Sequence, residues 1–222
     1  EKQKQFISDA SHELKTPLTT ISGIAEIMMQ GMIKEEDIPH FAGNIYKESK
    51  RMISLVEDII KLSQLDEDAI PNADETVDLN ELCCDVADRL KEYAEKENVK
   101  ISVEGVHAEI ICAGKVIEEM IYNLCDNAIK YNNHGGTVVL KTEVTENNIS
   151  VSVKDNGIGI PKSDLQRVFE RFYRVDKSHS KKIGGTGLGL SIVKHGAMFH
   201  NAEIQIESEI GVGTKIEILF KK

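Results

Sequence analysis

The sequence predicts an all-α helical hairpin followed by an α+β two-layer domain, in which helices cover one face of a mixed sheet. Apolar residues recur with a heptad rhythm between residues 38 and 62, as in paired helices. Short strand-like runs alternate with amphipathic helices after residue 76. An acidic stretch that contains Pro71 separates the two parts. These three observations together predict two domains of different class.

The composition is that of a globular chain with an excess of acidic residues. The 222 residues are 41% hydrophobic and carry a formal net charge of −10. That charge argues against a nucleic acid partner, because general nucleic-acid binders need a basic surface. No stretch approaches 18 consecutive apolar residues, so we expect no membrane segment. The four cysteines show no zinc spacing, which favours reduced thiols in a cytoplasmic protein, and Glu1 at the start favours a fragment of a longer one.

Two long helices are expected in the first part of the chain. The first runs from about Glu1 to Met32, and Pro17 within it predicts a bend just beyond His12. The second covers residues 35–65, and Glu48 interrupts its apolar seam once. A lone hairpin leaves much apolar surface in water, so we predict a homodimer in which two hairpins form a four-helix bundle. The alternative is a hairpin that packs on its own C-terminal domain.

These patterns divide the chain into residues 1–66, a linker at 67–75 and a second domain at 76–222. The sequence Asp78-x-x-Glu81 is typical of a capping box and should open a helix. Further helices are expected at 115–131 and from 188 onward, and strands at 100–103, 109–112, 137–144, 149–154, 203–208 and 214–220.

A candidate nucleophile lies in the first helix. His12 is followed by Glu13, and Thr16 shares a helical face with His12 because residues four apart are neighbours on a helix. The apolar positions form a different stripe, so we expect His12 to face solvent. A neutral imidazole can attack an electrophile, and a neighbouring carboxylate can accept its ring proton. Taken alone, such a pair is usually an ordinary surface feature.

Polar side chains follow one face of the predicted helix at 115–131. Asn123, Asn127 and either Lys130 or Tyr131 lie on that face. Two amides and an ammonium could hold a metal-bound phosphate chain, and Mg²⁺ needs few protein oxygens because it retains water ligands. One of these amide oxygens, together with phosphate oxygens, would therefore suffice as a metal site, with a polar solvated face as the alternative.

A second set of candidate ligand residues surrounds two glycines. Asp155 follows a predicted strand, and its carboxylate could accept a hydrogen bond from an exocyclic amine such as that of adenine. Gly157 and Gly159 permit positive φ and close approach of the backbone to a ligand. Arg174 could meet a terminal phosphate. A simple Asp-Asn-Gly turn is the alternative for the glycine segment.

A glycine-rich segment at residues 184–189 precedes a predicted helix, whose N-terminal amides could bind phosphate. The spacing of these glycines matches neither the dinucleotide-binding fingerprint nor the P-loop. Between Arg174 and these glycines, the short basic segment Lys177–Lys182 is predicted to be a lid over phosphates.

The whole set of motifs resembles the catalytic core of the sensor histidine kinases of two-component signalling, over essentially the full chain. S-H-E-L-K-T-P-L resembles the phosphoacceptor box and N-L-C-D-N-A-I-K-Y the N box. D-N-G-I-G-I-P and G-G-T-G-L-G-L-S-I-V-K resemble two glycine boxes, F-E-R-F-Y-R-V-D the F box between them, and G-V-G-T the last glycine motif. The resemblance implies a HisKA-type dimerisation and phosphotransfer domain followed by a GHKL-type ATP-binding domain of the Bergerat fold.

The resemblance also implies an activity and partners. ATP with Mg²⁺ would phosphorylate His12, with Glu13 as the neighbouring base, and the phosphoryl group would pass to an aspartate of a response regulator receiver domain. Thr16 would orient water when the regulator is dephosphorylated. The chain would be the cytoplasmic part of a membrane-anchored sensor. The residues implied to contact nucleotide are Asn123, Asn127 (through the metal), Lys130, Tyr131, Asp155, Gly157, Gly159, Ile160, Phe172, Arg174, Gly185, Thr186, Gly187, Leu188, Gly189 and Thr214.

Two other functions stay open: a protein that is chiefly a phosphatase of the regulator, and an inactive ATP-binding dimeric scaffold. The sequence also departs from the family after His195, where it reads G-A-M-F-H-N-A instead of an apolar run that ends in H-G-G. Gly196 within that helix is expected to cost up to about 1 kcal/mol relative to Ala. Asn201 is expected to take a left-handed backbone conformation and preserve the turn.

Overall fold

A computed structural model describes residues 2–66, 74–175 and 185–222. The predicted lid at 177–182 and most of the predicted linker lie outside the described residues. The helices are α1 Lys2–Met29, α2 Ile38–Asp66, α3 Leu79–Lys96, α4 Gly114–Lys130 and α5 Gly189–Phe199, with a 3₁₀ turn at Glu35–Asp37. The strands are β1 Glu75–Asp78, β2 Lys100–Gly105, β3 Glu109–Cys112, β4 Thr137–Val144, β5 Asn148–Asp155, β6 Glu203–Glu209 and β7 Gly213–Lys221.

Helices α1 and α2 form the predicted hairpin. Helix α1 continues through Pro17 to Met29. It ends in a Schellman motif, in which Gly31 has φ of 66° and the Met32 amide donates to the Ile27 carbonyl at 3.1 Å. Gly31 therefore ends the helix, because a residue with a side chain tolerates this conformation poorly.

The second domain is a mixed five-stranded sheet with helices packed against it. The strand order is β2-β4-β5-β7-β6, and β2 pairs parallel to β4 whereas the other neighbours are antiparallel. Helices α3 and α4 and the sheet share one core, which includes Leu90, Ile121 and Ile218. Asp78 caps α3 through hydrogen bonds from the amides of Asn80 and Glu81, which confirms the predicted helix start.

One strand was not expected. Strand β1 begins at Glu75, at the end of the predicted linker, and pairs antiparallel with β3 in a separate two-stranded sheet. Its four residues, Glu75–Asp78, are too short and too acidic to give a strand pattern. The polypeptide therefore enters the second domain at β1, before α3 begins.

The departure from the family pattern near Gly196 has a packing reason. A Cβ at this position of α5 would lie 2.6 Å from the Met120 sulfur and 3.1 Å from a Val116 methyl carbon of α4. Glycine therefore lets α5 approach α4 closely, which offsets its poor helix propensity. Asn201 has φ of 51°, so the predicted left-handed turn after α5 is confirmed.

The hairpin packs directly on the second domain. Leu55, Leu62 and Leu65 of α2 form one buried cluster with Leu188 and Ile192. Burial of each such side chain contributes about 1.5–3 kcal/mol. The alternative arrangement, a hairpin packed on its own C-terminal domain, is thus present within one chain.

Apolar surface nevertheless remains on the hairpin. Ile7, Leu18, Ile53, Val56 and Ile60 are each at least 41% exposed. A four-helix bundle would bury side chains of this kind, and homodimerisation stays a prediction. No helix in the described part of the chain is long and apolar enough to cross a membrane.

Candidate functional site

A cleft of about 680 Å³ lies between α4, the glycine-rich segments and α2. This volume falls within the range of small-molecule sites. Thirteen of the predicted nucleotide-contacting residues line it, namely Asn123, Asn127, Lys130, Tyr131, Asp155, Gly159, Ile160, Arg174, Gly185, Thr186, Gly187, Gly189 and Thr214.

Backbone amides hold Asp155 in one orientation at the end of β5. Its Oδ1 accepts hydrogen bonds from the amides of Gly157 at 2.8 Å and Thr214 at 3.2 Å. Burial raises the pKa of Asp155, and the two amide hydrogen bonds oppose that shift. Within the described residues both hydrogen bonds go to Oδ1, so Oδ2 remains available to a donor in the cleft. We call this region, where the sequence predicts a contact with adenine, the adenine end of the cleft.

The glycine segment beside Asp155 is fixed by its neighbours. Gly159 has φ of 71°, and a Cβ there would lie 2.0 Å from the Glu209 carbonyl oxygen. The Ile160 amide donates to the Ser208 hydroxyl at 2.8 Å, and that hydroxyl shares a hydrogen bond of 2.8 Å with Thr214. Glycine is therefore required at 159 by both conformation and space.

Gly157 lies behind the cleft lining. A Cβ there would meet the Tyr131 carbonyl oxygen at 2.4 Å, and the same carbonyl accepts from the Ile158 amide at 3.1 Å. Gly157 therefore lets the segment pack on the end of α4 and positions Asp155, without reaching the cleft itself.

Helix α4 presents two amide side chains to the cleft. Asn123 donates through Nδ2 to the Glu119 carbonyl at 2.8 Å, which leaves its Oδ1 toward Gly189. Asn127 lies one turn further along the same wall. Lys130 pairs with Asp126 at 2.6 Å. The two amide oxygens are the hard donors that Mg²⁺ takes.

The opposite end of the cleft holds polar groups already paired with hairpin carboxylates. Arg174 is only 9% exposed, and its guanidinium lies 3.4 Å from Glu13 Oε2. The Thr186 hydroxyl donates to Asp58 Oδ2 at 2.8 Å. Burial raises the pKa of Asp58, and this hydrogen bond opposes that shift. We call Arg174, Thr186 and Lys130 with their carboxylate partners, where phosphate contacts are predicted, the phosphate end.

His12 lies outside the cleft lining, and its chain neighbour Glu13 reaches the phosphate end. His12 is exposed on α1, as the sequence predicts, and the adjacent Glu13 contacts Arg174. The Thr16 hydroxyl donates to the His12 carbonyl at 3.4 Å and is also exposed. The structure thus brings the predicted nucleophile helix to the predicted nucleotide cleft.

Two predicted nucleotide contacts have side chains that point elsewhere. Phe172 has φ of 61°, and its ring stacks on Phe6 of α1 with a centroid distance of 5.9 Å. Leu188 is fully buried among the α2 leucines. Both side chains join the two domains and do not line the cleft.

Hairpin residues in the cleft wall were missed from the sequence. Ser54, Glu57, Asp58 and Lys61 line it from α2, and the Lys61 ammonium lies 2.6 Å from Glu119. Their spacing gives a polar stripe on the helix. That pattern alone does not reveal what the stripe faces.

Two family models match this chain. HisKA, the His Kinase A (phospho-acceptor) domain, matches residues 2–68. HATPase_c, the histidine kinase-, DNA gyrase B- and HSP90-like ATPase, matches residues 112–222. The chain belongs to the sensor histidine kinases.

Sensor histidine kinases from bacteria are similar to this chain along nearly its whole length. WalK of Bacillus subtilis is 36% identical over 223 residues, which cover 97% of this chain and 36% of WalK. SenX3 of Mycolicibacterium smegmatis is 36% identical over 214 residues, which cover 96% of this chain and 56% of SenX3. This kinase chain therefore spans between about a third and somewhat over half of these relatives.

Solved histidine kinase structures share the fold. The Acinetobacter baumannii histidine kinase AdeS superposes with a TM-score of 0.77 at 23% identity and covers 95% of this chain and 97% of its own. The histidine kinase ThkA, solved in complex with the response regulator protein TrrA, gives a TM-score of 0.77 at 22% identity over 98% of this chain and 61% of its own. The predicted hairpin and α+β domain are thereby confirmed.

Proposed function

We propose that this chain binds ATP, phosphorylates itself on His12 and transfers the phosphoryl group to an aspartate of a response regulator. The observation that supports this most directly is the 3.4 Å contact between Glu13 and Arg174. It joins the helix that carries the candidate acceptor to the nucleotide cleft of an ATPase-family domain.

The chemistry requires few groups. A ring nitrogen of His12 attacks the γ-phosphorus, the bond from that phosphorus to the leaving oxygen of ADP breaks, and Glu13 accepts the ring proton. Lys130 and Arg174 stabilise the phosphate charge. Asp155 accepts a hydrogen bond from the adenine amine through Oδ2, and the rim formed by Tyr131, Ile160 and Thr214 encloses the base.

Asn127, supported by Asn123, fits the role of magnesium ligand. Its amide oxygen is a hard donor on the cleft wall, and one such oxygen suffices when phosphate oxygens and waters complete the shell. When bound, Mg²⁺ supplies charge neutralisation between the phosphates.

The remaining assignments concern residues 1–66, 76–222 and the partners. We propose that the hairpin at 1–66 is the dimerisation and phosphotransfer unit and that 76–222 is the catalytic unit. The apolar hairpin surface supports a homodimer. The complex of ThkA with the response regulator TrrA supports a receiver domain as the partner of this chain. The similarity to WalK and SenX3, which are sensor kinases, supports a cytoplasmic position within a membrane-anchored sensor.

The test is autophosphorylation with γ-labelled ATP and Mg²⁺, in this chain and its His12→Ala variant. Acid-labile label on the parent and none on the variant is the expected result. Label that persists on the variant would move the acceptor elsewhere. A parent that binds ATP and stays unlabelled would favour the scaffold function.

A regulator phosphatase activity is the second candidate. Thr16 is exposed one turn after His12, and its hydroxyl is held only by a long contact to the His12 carbonyl among the described residues. The hydroxyl can therefore orient a water molecule. We expect Thr16→Ala to autophosphorylate normally and to lose dephosphorylation of a phosphorylated regulator; equal loss of both activities would reject this division of roles.

A further inference from the structure

Four charged side chains form a continuous series of ion pairs from the hairpin seam to the nucleotide cleft. Glu48 lies 3.8 Å from Arg51 within α2. Arg51 lies 3.5 Å from Glu13 of α1, and Glu13 lies 3.4 Å from Arg174. This series of ion pairs therefore links Glu48, which interrupts the apolar seam, to Arg174, the candidate phosphate contact.

These ion pairs explain why a polar residue, Glu48, breaks the heptad pattern. Glu48 occupies a position where a buried apolar residue is expected, and its side chain is 25% exposed. The Arg51 side chain is 16% exposed. A guanidinium removed this far from water needs anionic partners, and Arg51 has one on each side.

The two arginines contact the same oxygen, Oε2 of Glu13. If Arg174 turns toward a phosphate, Arg51 is the partner that remains. We propose that Arg51 is a positioning residue, held by Glu48, that fixes the Glu13 carboxylate in place while the phosphoryl group is transferred to His12. This inference rests on the proposed autokinase function and assigns a residue that acts through Glu13.

The physical reason is that a proton acceptor must stay in place to be effective. Glu13 has a flexible side chain that is 36% exposed, so without an anchor it would sample several rotamers. Misplacement by about 1 Å can cost about 100-fold in rate. Arg51 does not line the cleft, so its loss should lower the rate of phosphorylation without weakening the apparent affinity for ATP.

The first experiment compares initial rates of autophosphorylation over a range of Mg-ATP concentrations. We expect Arg51→Met to lower kcat about 10- to 100-fold, with the KM for ATP within about threefold of the parent. Arg51→Lys should recover most of the rate because it keeps the charge. The control is Lys47→Met, which removes an exposed charge from the same helix and should match the parent.

The second experiment asks whether Arg51 acts through Glu13. In a double-mutant cycle, Glu13→Gln with Arg51→Met should be no slower than Glu13→Gln alone, because the anchor has nothing left to position. Additive losses would overturn the inference, as would Arg51→Met at the parent rate or Arg51→Lys as slow as Arg51→Met. An unlabelled parent would instead reject the proposed function, so the two failures are distinguishable.

Discussion

The two ends of the cleft are built in different ways. At the adenine end, Asp155 is fixed by backbone amides, and Gly159 is locked against the Glu209 carbonyl. At the phosphate end, Arg174 and Thr186 are held by side-chain carboxylates of the hairpin. Backbone contacts persist whatever the hairpin does, whereas these carboxylate contacts can be exchanged for phosphate oxygens.

The difference predicts that the hairpin and the nucleotide compete for the phosphate end. Glu13 and Asp58 are anions that occupy the groups a phosphate chain would use, and like charges nearby repel. Nucleotide binding and hairpin docking at this end should therefore oppose each other. Release of Glu13 from Arg174 would leave its carboxylate paired with Arg51.

The largest effect is expected at the adenine end. Asp155→Asn replaces the free carboxylate oxygen with an amide that can present a donor to the adenine amine. Loss of a charged hydrogen bond costs about 1.5–3 kcal/mol, so the Kd for ATP should rise about 10- to 100-fold. Titration with a fluorescent ATP analogue measures this. An unchanged Kd would remove Asp155 from the adenine end.

The second prediction concerns the rigidity of the same end. Gly159→Ala must place a Cβ against the Glu209 carbonyl and hold a positive φ, so we expect a loss of about 1–3 kcal/mol in the free energy of unfolding. Denaturant unfolding measures it. Gly135→Ala, which also has positive φ but no atom within 4 Å of the added Cβ among the described residues, is the matched control for conformation alone. Equal losses in the two variants would show that the close contact at 159 is unimportant.

The smallest effect is expected outside both ends. His200 accepts from the Ala113 amide at 3.0 Å through Nε2, its Nδ1 donates to the Gly196 carbonyl at 2.8 Å, and burial lowers the pKa of His200. The unfolded chain thus binds a proton more readily, so stability should fall as pH drops through about 6.5. When the pH is lowered through this range, the melting temperature Tm of His200→Gln should decrease by about 2 °C less than that of the parent. Parallel pH curves for the two proteins would contradict this.

Sequence reasoning identified Asp155 and Gly159 as residues of the cleft wall because their requirements are local. Asp155 at a strand end and a glycine at 159 report on backbone conformation, which a short motif encodes. The hairpin contribution was not predictable in the same way. Asp58 and Lys61 form an ordinary polar stripe on α2 until the packing of one domain on the other is known. Phe172 shows the same limit, since its F-box position suggested a ligand contact and its ring instead meets Phe6.

The ion pair between Glu48 and Arg51 was predictable only in part. The interruption of the heptad seam was visible, because the apolar period is a sequence property. The contact of Arg51 with Glu13 across the hairpin depends on the register of α1 against α2, which the period does not fix. Strand β1 was not predicted for a different reason. It is only four residues long, and its pairing with β3 defines it as a strand.

The claim that hairpin carboxylates compete with nucleotide at the phosphate end is tested most directly by ATP affinity. We would titrate the parent and the double variant Glu13→Gln, Asp58→Asn with a non-hydrolysable ATP analogue and Mg²⁺. Each lost ion pair or charged contact is worth up to about 1 kcal/mol, so the double variant should bind about three- to tenfold more tightly. Equal or weaker binding would contradict the competition and would mean that these carboxylates support the nucleotide site.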